Sequence, residues 1–353
     1  MAKLRVALVF GGRSSEHEIS CVTAGGVLGA IDRDKFEVVP IGITKDGVFV
    51  PAEDDTEKWS LNKEKLPTVE FAGETLTWLP NREFAVNGVL KGKIDVVFPV
   101  LHGPFGEDGT IQGFFELLDL PYVGNGVLAS AAGMDKEFTK ALFQAAGVPV
   151  TPHVVIRKNQ WLRDPESALE AVRNLGPLPL FVKPARAGSS VGVSKVKAMS
   201  EFGDAVAKAF NEDDKLVVEC GVTGREVEVA VLEGRDGAQT RVTVAGEIII
   251  KGRDFYDFEA KYIDEASVDL VIPADLTSAE LQEMQSIARK AFAAIGGEGL
   301  ARVDFFLTET GFLVNEINTM PGFTRLSMFP SLWQASGVDY KSLITELIEL
   351  ALN

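Results

Sequence analysis

One stretch near the C-terminus of this 353-residue chain consists of two β-rich runs in which polar residues are interspersed among apolar ones. Residues 300–307 and 312–318 are β-rich runs that flank a short polar turn ending in Gly311. This pattern predicts an antiparallel hairpin, and we place the centre of its turn at Thr310. One face of such a hairpin must pack against a core, because its side chains are apolar: Val303, Phe305 and Ile317.

The opposite face of the hairpin gathers two acids, an amide and a guanidinium. With the turn at Thr310, Asp304 lies opposite Glu316. Arg302 then lies opposite Asn318, and the alternation of strand side chains puts all four on one face. Two facing carboxylates repel unless a positive group lies between them. A divalent cation that prefers oxygen ligands suits this arrangement, although a solvated polar sheet face would show the same pattern.

Composition limits the kinds of partner that the protein can have. Acidic residues number 51 against 35 basic residues, which gives a formal net charge of -16. Nucleic acid or an anionic membrane is therefore excluded as the main partner. The length leaves room for two or three domains and a large core.

The cysteines and the apolar segments indicate a cytoplasmic protein. Cys21 and Cys220 form neither a metal-type pair nor a disulfide framework. Residues 4–10 are apolar except for Arg5 and lead into glycines, which predicts a first strand and not a signal peptide. No apolar run approaches the roughly twenty residues that a membrane span requires.

The first strand leads through Gly11-Gly12 into a helix, and this corner is typical of a ligand site in an open α/β sheet. Ser15 and Glu18 have the spacing of a capping box, which places Glu16 in the first helical turn. An acid at this corner would repel a phosphate and could bind an ammonium group. A first-turn acid that only stabilises the helix is an equally common alternative.

Two further stretches suggest ligand contacts. A buried strand at 94–101 ends in a glycine-rich loop, where His102 is a candidate for substrate contact or a structural hydrogen bonder. The helix predicted over 135–146 carries Lys136 in its first turn, where a cation opposes the helix dipole. A nearby anion would explain that lysine.

A loop of small residues at 185–192 follows a strand that ends in Lys183-Pro184. Its backbone N–H groups and hydroxyls, next to a lysine, are suited to binding phosphates. The segment 188–192 also matches the nucleophile-elbow pattern of hydrolases, which requires a following helix and a later histidine. All histidines precede the loop, so the hydrolase interpretation fails: His17, His102 and His153.

The other elements are predicted more simply. Strands at 215–222 and 225–231 indicate a hinge between two domains, and the polar stretch 45–87 indicates hairpins and loops at an edge. The aromatic, charged segment 254–262 reads as a loop that closes over a site. Helices are predicted at 277–295, with a Thr277/Glu280 capping box, and at 340–352.

These pieces, in this order, resemble the ATP-grasp enzymes, and among them the D-alanine–D-alanine ligase family. The resemblance covers almost the whole chain. Its motifs stand at 11–12 with 15–20, 101–103 with 106–109, 134–136, 182–184 with 188–192, 259–262, 302–304, and 315–319 with 321–322. It implies an α/β protein of three-domain ATP-grasp architecture, with a Rossmann-like open sheet in a first domain at 1–124 and further domains at 125–222 and 223–353.

The resemblance also implies roles for individual residues. Nucleotide-binding residues would be Lys136, Lys183 and Lys261 at the phosphates, and Glu219, Cys220, Val222 and Glu226 at the adenosine. Metal ligands would be Asp304, Glu316 and Asn318. The first D-alanine would meet Glu16, linked to Ser189 and Tyr262, while Arg302 and the Gly322 N–H would stabilise an oxyanion. His102, Ser327 and Met328 would contact substrate, the last two at the second carboxylate.

The implied reaction joins two D-alanine molecules for peptidoglycan synthesis, through an acyl phosphate. It uses ATP with Mg²⁺ or Mn²⁺, two ions per site, in a cytoplasmic homodimer. Two positions depart from the family's pattern: Ala187 replaces a frequent glutamate, and Met328 replaces a frequent leucine of similar volume. Tyr262 favours an amine over a hydroxy acid as acceptor. The alternatives are a D-alanine–D-lactate ligase, another ATP-grasp carboxylate–amine ligase, and a non-catalytic nucleotide-binding protein.

Overall fold

A computed structural model describes residues 3–62, 65–250 and 268–353 of the protein. The predicted closing loop at 254–262, with Lys261 and Tyr262, lies outside the described residues.

The described chain forms strands and helices in the following order. The strands are β1 Leu4–Gly11, β2 Phe36–Ile43, β3 Phe49–Pro51, β4 Leu76–Trp78, β5 Glu83–Val86, β6 Val89–Lys93, β7 Val96–Pro99, β8 His153–Arg157, β9 Leu180–Pro184, β10 Ser194–Val196, β11 Lys215–Cys220, β12 Arg225–Leu232, β13 Arg241–Val242, β14 Gly246–Ile250, β15 Val268–Val271, β16 Leu300–Thr308 and β17 Gly311–Asn318. The helices are α1 His17–Ala30, α2 Thr110–Leu117, α3 Val127–Met134, α4 Lys136–Ala145, α5 Lys158–Arg163, α6 Pro165–Leu175, α7 Phe202–Ala209, α8 Ser278–Ala294, α9 Met328–Ala335 and α10 Tyr340–Leu350.

The N-terminal part of the chain builds an open sheet in the order β3-β2-β1-β7, in which β1 runs parallel to both β2 and β7. The run Val6 to Phe10 is completely buried, as expected for a parallel strand covered on both faces. Gly11 ends β1 with φ +90°, and a Cβ at this position would meet the Ile43 carbonyl oxygen at 2.4 Å. The strand therefore leaves the sheet here through a turn that only glycine fits. A small sheet, β4-β5-β6, has its first two strands within the region 45–87 predicted as hairpins and loops, and its third strand just after that region.

The middle of the chain builds an antiparallel sheet in the order β10-β9-β11-β8. Its apolar face packs against α6 and α7 in a cluster that includes Val172, Val182, Phe202 and Val218. The polar residues Lys183 and Glu219 alternate with these apolar residues along β9 and β11, and so point away from that core.

A third large sheet has the order β15-β14-β12-β16-β17, with β13 paired to β12. The predicted hairpin is β16 and β17, and Asp304 faces Glu316 while Arg302 faces Asn318, as predicted. The turn differs from the prediction, because Thr308 pairs with Gly311 and the turn is centred between Glu309 and Thr310.

A β-bulge reconciles this turn with the predicted pairs. Phe305 faces Val314, whereas Asp304 faces Glu316, so Asn315 is an extra residue in β17. A bulge inserts one residue into one strand of an antiparallel pair. The pairing at the turn is shifted by one residue from the predicted pairing, and the extra residue Asn315 restores the predicted pairs beyond it.

Helix starts were predicted with mixed success. Thr277 and Glu280 form a capping box in front of α8, as predicted. The predicted capping box of Ser15 and Glu18 is wrong. Glu16 is the N-cap of α1, and no side chain caps this end of the helix. The Glu16 N–H instead donates to the Ser14 hydroxyl at 3.1 Å, because the chain forms a turn before the helix begins.

The C-terminal helices pack against the N-terminal sheet. One core cluster contains Phe10 and Val96 of that sheet together with Phe329 of α9, which was not predicted, and Leu343 of α10. The Phe323 ring contacts Phe329 at 5.7 Å between ring centroids. The end of the chain thus closes back on its beginning. Within the described ranges, no helix has both the length and the apolar character that a membrane span requires.

This packing predicts a large effect for Phe329→Ala. Phe329 is fully buried, so the variant should lose about 3–5 kcal/mol of unfolding free energy through lost burial and a cavity. Urea denaturation measures the loss. Phe71→Ala is the control, because Phe71 is 58% exposed, and its change should stay within about 0.5 kcal/mol. Equal effects of the two substitutions would contradict this description of the core.

Candidate active site

A cavity of about 1070 Å³ is bounded by the glycine-rich loops, the middle sheet and the hairpin sheet. Every predicted site residue that the structure describes lines it: Glu16, His102, Lys136, Lys183, Ser189, Glu219, Cys220, Val222, Glu226, Arg302, Asp304, Glu316, Asn318, Gly322, Ser327 and Met328. The remaining predicted site residues, Lys261 and Tyr262, lie outside the described residues. The structure thus brings together residues that are more than 300 positions apart in the sequence.

Three carboxylates form a row across the hairpin sheet. Glu228 on β12 faces Asp304 on β16, and Asp304 faces Glu316 on β17. Residues that face each other in antiparallel strands lie on the same side of the sheet. The row therefore concentrates negative charge along the cavity wall.

Arg302 supplies positive charge next to this row. Its Nε and Nη2 donate to the two oxygens of Asp304 at 2.7 Å each, in a bidentate pair. Its Nε also lies 2.9 Å from Glu228 Oε2. Burial opposes the charged form, but Asp304 and Glu228 outweigh it and raise the pKa of Arg302 well above its ordinary value.

The oxygen ligands at this wall suit a divalent cation of the magnesium type. Asp304, Glu316 and Asn318 offer two carboxylates and one amide, and the Asn318 amide nitrogen donates to Asp304 at 3.0 Å. No group of three His, Cys, Asp or Glu side chains with metal-site geometry occurs in the described part of the chain. A set of two acids and an amide fits an ion that completes its coordination with water and substrate phosphates.

A chain of charges lies on the opposite wall. Glu219 Oε2 is 2.6 Å from Lys183 Nζ, and Glu219 Oε1 is 2.8 Å from Lys140 Nζ. Lys183 Nζ also donates to Asn315 Oδ1 at 3.4 Å, which links this wall to the hairpin. Burial raises the pKa of the Glu219 carboxyl, but Lys183 and Lys140 outweigh it and lower that pKa to about 2. Glu219 is therefore ionised in the folded protein at neutral pH.

The loop of small residues is held in a strained conformation above Lys136. Ser189 and Ser190 have φ of +48° and +60°, a region that costs a non-glycine residue about 1–2 kcal/mol. Lys136 Nζ donates to the Ala187 carbonyl oxygen at 2.9 Å. Burial, opposed by Glu316, lowers the pKa of Lys136. Strain of this kind persists where surrounding contacts fix it and is common at ligand sites.

The N-terminal corner meets this loop through Glu16. The Ser189 hydroxyl donates to Glu16 Oε1, so the predicted link between these two residues exists. Glu16 is buried, and the Ser14 hydroxyl beside it donates to the His102 carbonyl oxygen at 2.6 Å. A buried carboxylate at the end of a cavity is suited to a cationic ligand group.

His102 is buried behind Glu16 and has polar partners of its own. Its Nε2 lies 3.2 Å from the Thr23 hydroxyl, and its Nδ1 lies 3.7 Å from Glu107 Oε1. Burial lowers the pKa of His102, but Glu107 outweighs burial and the net shift is upward. The imidazole thus lies in an acidic environment, which also includes Glu16.

Three features of this site were not predicted from the sequence. Glu228 completes the carboxylate row, and its position two residues after Glu226 on one strand face was an available signal. Lys140 lies one helical turn after Lys136, which places both on one side of α4. Trp59, in the region for which no function was predicted, also lines the cavity, and no sequence pattern indicated this.

The shifted pKa of Glu219 predicts a pH dependence of stability. A carboxyl whose folded pKa is lowered contributes stability above its unfolded pKa, and this contribution disappears as pH falls through the folded pKa. The stability difference between wild type and Glu219→Gln should therefore shrink between pH 4.5 and about 2. The pH-dependent part of this difference in unfolding free energy is on the order of 3 kcal/mol. Urea denaturation at several pH values measures it, and a constant difference would contradict the assignment.

Comparisons with known proteins agree with this geometry. Residues 5–125 match the family model "D-ala D-ala ligase N-terminus", and residues 142–349 match "D-ala D-ala ligase C-terminus". The D-alanine–D-alanine ligase of Arthrobacter sp. (strain FB24) is 53% identical, with 100% of this chain and 95% of that protein covered. That of Streptomyces avermitilis is 51% identical, with coverage of 99% and 94%.

Solved structures give the same result. The VanG D-Ala:D-Ser ligase from Enterococcus faecalis superposes with a TM-score of 0.85 at 34% identity, with 99% of this chain and 100% of that chain covered. The D-alanine–D-alanine ligase from Coxiella burnetii superposes with a TM-score of 0.82 at 34% identity, with coverage of 99% and 95%. The architecture is that of the ATP-grasp enzymes, and the chain belongs to the D-alanine–D-alanine ligase family.

Proposed function

We propose that the protein joins two D-alanine molecules to D-alanyl-D-alanine, with ATP converting the first carboxylate to an acyl phosphate. Ligation with ATP and a divalent metal is the activity of the family to which the chain belongs. One observation supports the proposed route most directly. A single cavity holds a buried acid at one end, lysines on one wall and a row of carboxylates on the other.

The residues of the cavity suggest how ATP and the metal would be held. Lys136 and Lys183 supply positive charge for phosphates, and the strained loop supplies backbone N–H groups. Cys220, Val222 and Glu226 would contact the adenosine at the other end of the same wall. Two Mg²⁺ ions would be held by Asp304, Glu316 and Asn318. Their charge would neutralise the transferring phosphoryl group.

The amino acid end would use the N-terminal corner. Glu16, oriented by Ser189, would bind the ammonium of the first D-alanine. The Ser327 hydroxyl accepts from the Thr324 N–H at 3.1 Å and would help to bind the second carboxylate beside Met328. A substrate held in this way has its reacting carboxylate directed toward the metal and the phosphates.

In the second step, the amine of the second D-alanine attacks the carbonyl carbon of the acyl phosphate. The developing oxyanion would be stabilised by Arg302 and the Gly322 N–H. The contacts of Arg302 with Asp304 and Glu228 use Nε and Nη2, so its Nη1 group would be the one that donates to the substrate. Phosphate leaves as the peptide bond forms, and no side chain becomes a covalent nucleophile.

Three broader features also belong to this proposal. We place the domains at 1–124, 125–222 and 223–353, because each large sheet is built from strands within one of these segments. The reaction would take place in the cytoplasm, where ATP is available. The expected homodimer stays a prediction that analytical ultracentrifugation can test.

The reaction predicts that phosphate release requires ATP, a divalent cation and D-alanine together. Glu316→Gln should lower the rate at least about a hundredfold, because it removes a ligand of the metal that stabilises the transferring phosphate. A phosphate assay with mass spectrometry of the product measures this, and L-alanine is the substrate control. Folded, ATP-binding protein that releases no phosphate with any D-amino acid would contradict the ligase activity. D-lactate and D-serine as acceptors test the alternative products.

The proposed role of Glu16 predicts a selective change in substrate binding. Glu16→Gln keeps an acceptor for Ser189 but removes the charge that faces the ammonium group. The KM for the first D-alanine should rise about tenfold or more, while ADP affinity measured by calorimetry stays the same. Glu18→Gln is the matched control, because Glu18 is paired with Lys45 on the outside of α1. Equal effects of both substitutions would remove Glu16 from the substrate site.

A further inference from the structure

Lys140 is a buried lysine that the proposed reaction does not use. Its side chain is 2% exposed, at the centre of α4. Lys136, one turn earlier, lines the cavity, whereas Lys140 lies behind the wall and contacts Glu219. Lysine is almost never fully buried unless it is paired, so this position needs an explanation.

The contacts of Glu219 supply the explanation. Its Oε2 accepts a hydrogen bond from Lys183 at 2.6 Å, and its Oε1 forms an ion pair with Lys140 at 2.8 Å. Glu219 itself is 2% exposed. A carboxylate bound on both sides has one orientation, and that orientation determines where the Lys183 ammonium lies.

The charges lead to the same conclusion. With Lys140 present, the trio of Lys140, Glu219 and Lys183 carries one net positive charge, which is available to a phosphate. Without Lys140, Glu219 would neutralise Lys183 alone, and the pair would present no net charge to an anion. The lowered pKa of Glu219, to which both lysines contribute after the opposing effect of burial, agrees with this arrangement.

We propose that Lys140 is a positioning residue that fixes the orientation and charge of Glu219 and thereby directs Lys183 toward the nucleotide phosphates. The inference rests on the proposed function, because it takes the anion to be ATP. It assigns a role to a side chain that does not itself touch substrate.

The test compares Lys140→Met with Lys140→Arg in steady-state kinetics. Lys140→Met should raise the KM for ATP about tenfold or more and weaken ADP binding in calorimetry to a similar extent. The KM values for D-alanine should change less than about twofold, because Glu16 and its loop are untouched. Lys140→Arg retains the charge and should restore most of the ATP affinity.

Thr139→Val is the matched control. Thr139 is buried next to Lys140 on α4 and donates to the Asp135 carbonyl oxygen at 3.0 Å, so its substitution disturbs the helix without changing charge. It should lower the melting temperature without a selective change in the KM for ATP. If Lys140→Met fails to fold, Lys140→Gln keeps a donor for Glu219 without the charge, and the same selective change is expected.

Two results would overturn the inference. One is a KM for ATP that changes no more in the neutral Lys140 variant than in Thr139→Val. The other is an equal loss of affinity in Lys140→Arg and the neutral variant. Failure of the proposed function would look different, because wild-type protein would then release no phosphate with D-alanine.

Discussion

The active-site half of the structure depends on a row of three carboxylates that must not be left uncompensated. Glu228, Asp304 and Glu316 lie side by side on three neighbouring strands, and unscreened like charges at this spacing would destabilise the sheet. The buried guanidinium of Arg302 satisfies two of the three. The third acid, Glu316, faces the cavity, and its negative charge raises the pKa of Lys136 against the larger effect of burial. The sheet thus tolerates the row of acids, and its negative charge suits the proposed metal site.

The wall that carries Lys183 and Glu219 must keep buried lysines in their charged form. Lys183 and Lys140 share one carboxylate, so each ammonium has a partner while the group as a whole stays positive. In the proposed reaction, an anion with many negative oxygens would fit between the positive wall and the metal that the negative wall would hold. This complementarity explains why the two sheets meet at the cavity with their polar faces and keep their apolar faces in separate cores.

Much of this arrangement was predictable from the sequence, because alternation along a strand determines which residues share a face. The pairs on the hairpin were confirmed, and so was the capping box of α8. The face that Glu228 shares with Glu226 could be predicted from their spacing, but its place in the carboxylate row could not, because nothing local in the sequence says that β12 lies beside β16. Lys140 was missed for the same reason: a buried ion pair depends on which helix packs on which sheet. The predicted cap of α1 was wrong because the Ser14 hydroxyl, and not that of Ser15, accepts a hydrogen bond at this end, from the Glu16 N–H.

The bulge at Asn315 shows how a small irregularity connects the two walls. In a regular strand Asn315 and Glu316 would point to opposite faces, and one of them would enter the apolar core. The bulge disrupts the alternation at this point, and both side chains line the cavity. Asn315 can therefore accept from Lys183 while Glu316 stays in the carboxylate row. The extra residue thus allows Asp304 to pair with Glu316 despite the position of the turn. It also connects the hairpin to the wall that carries the lysines, through the hydrogen bond from Lys183.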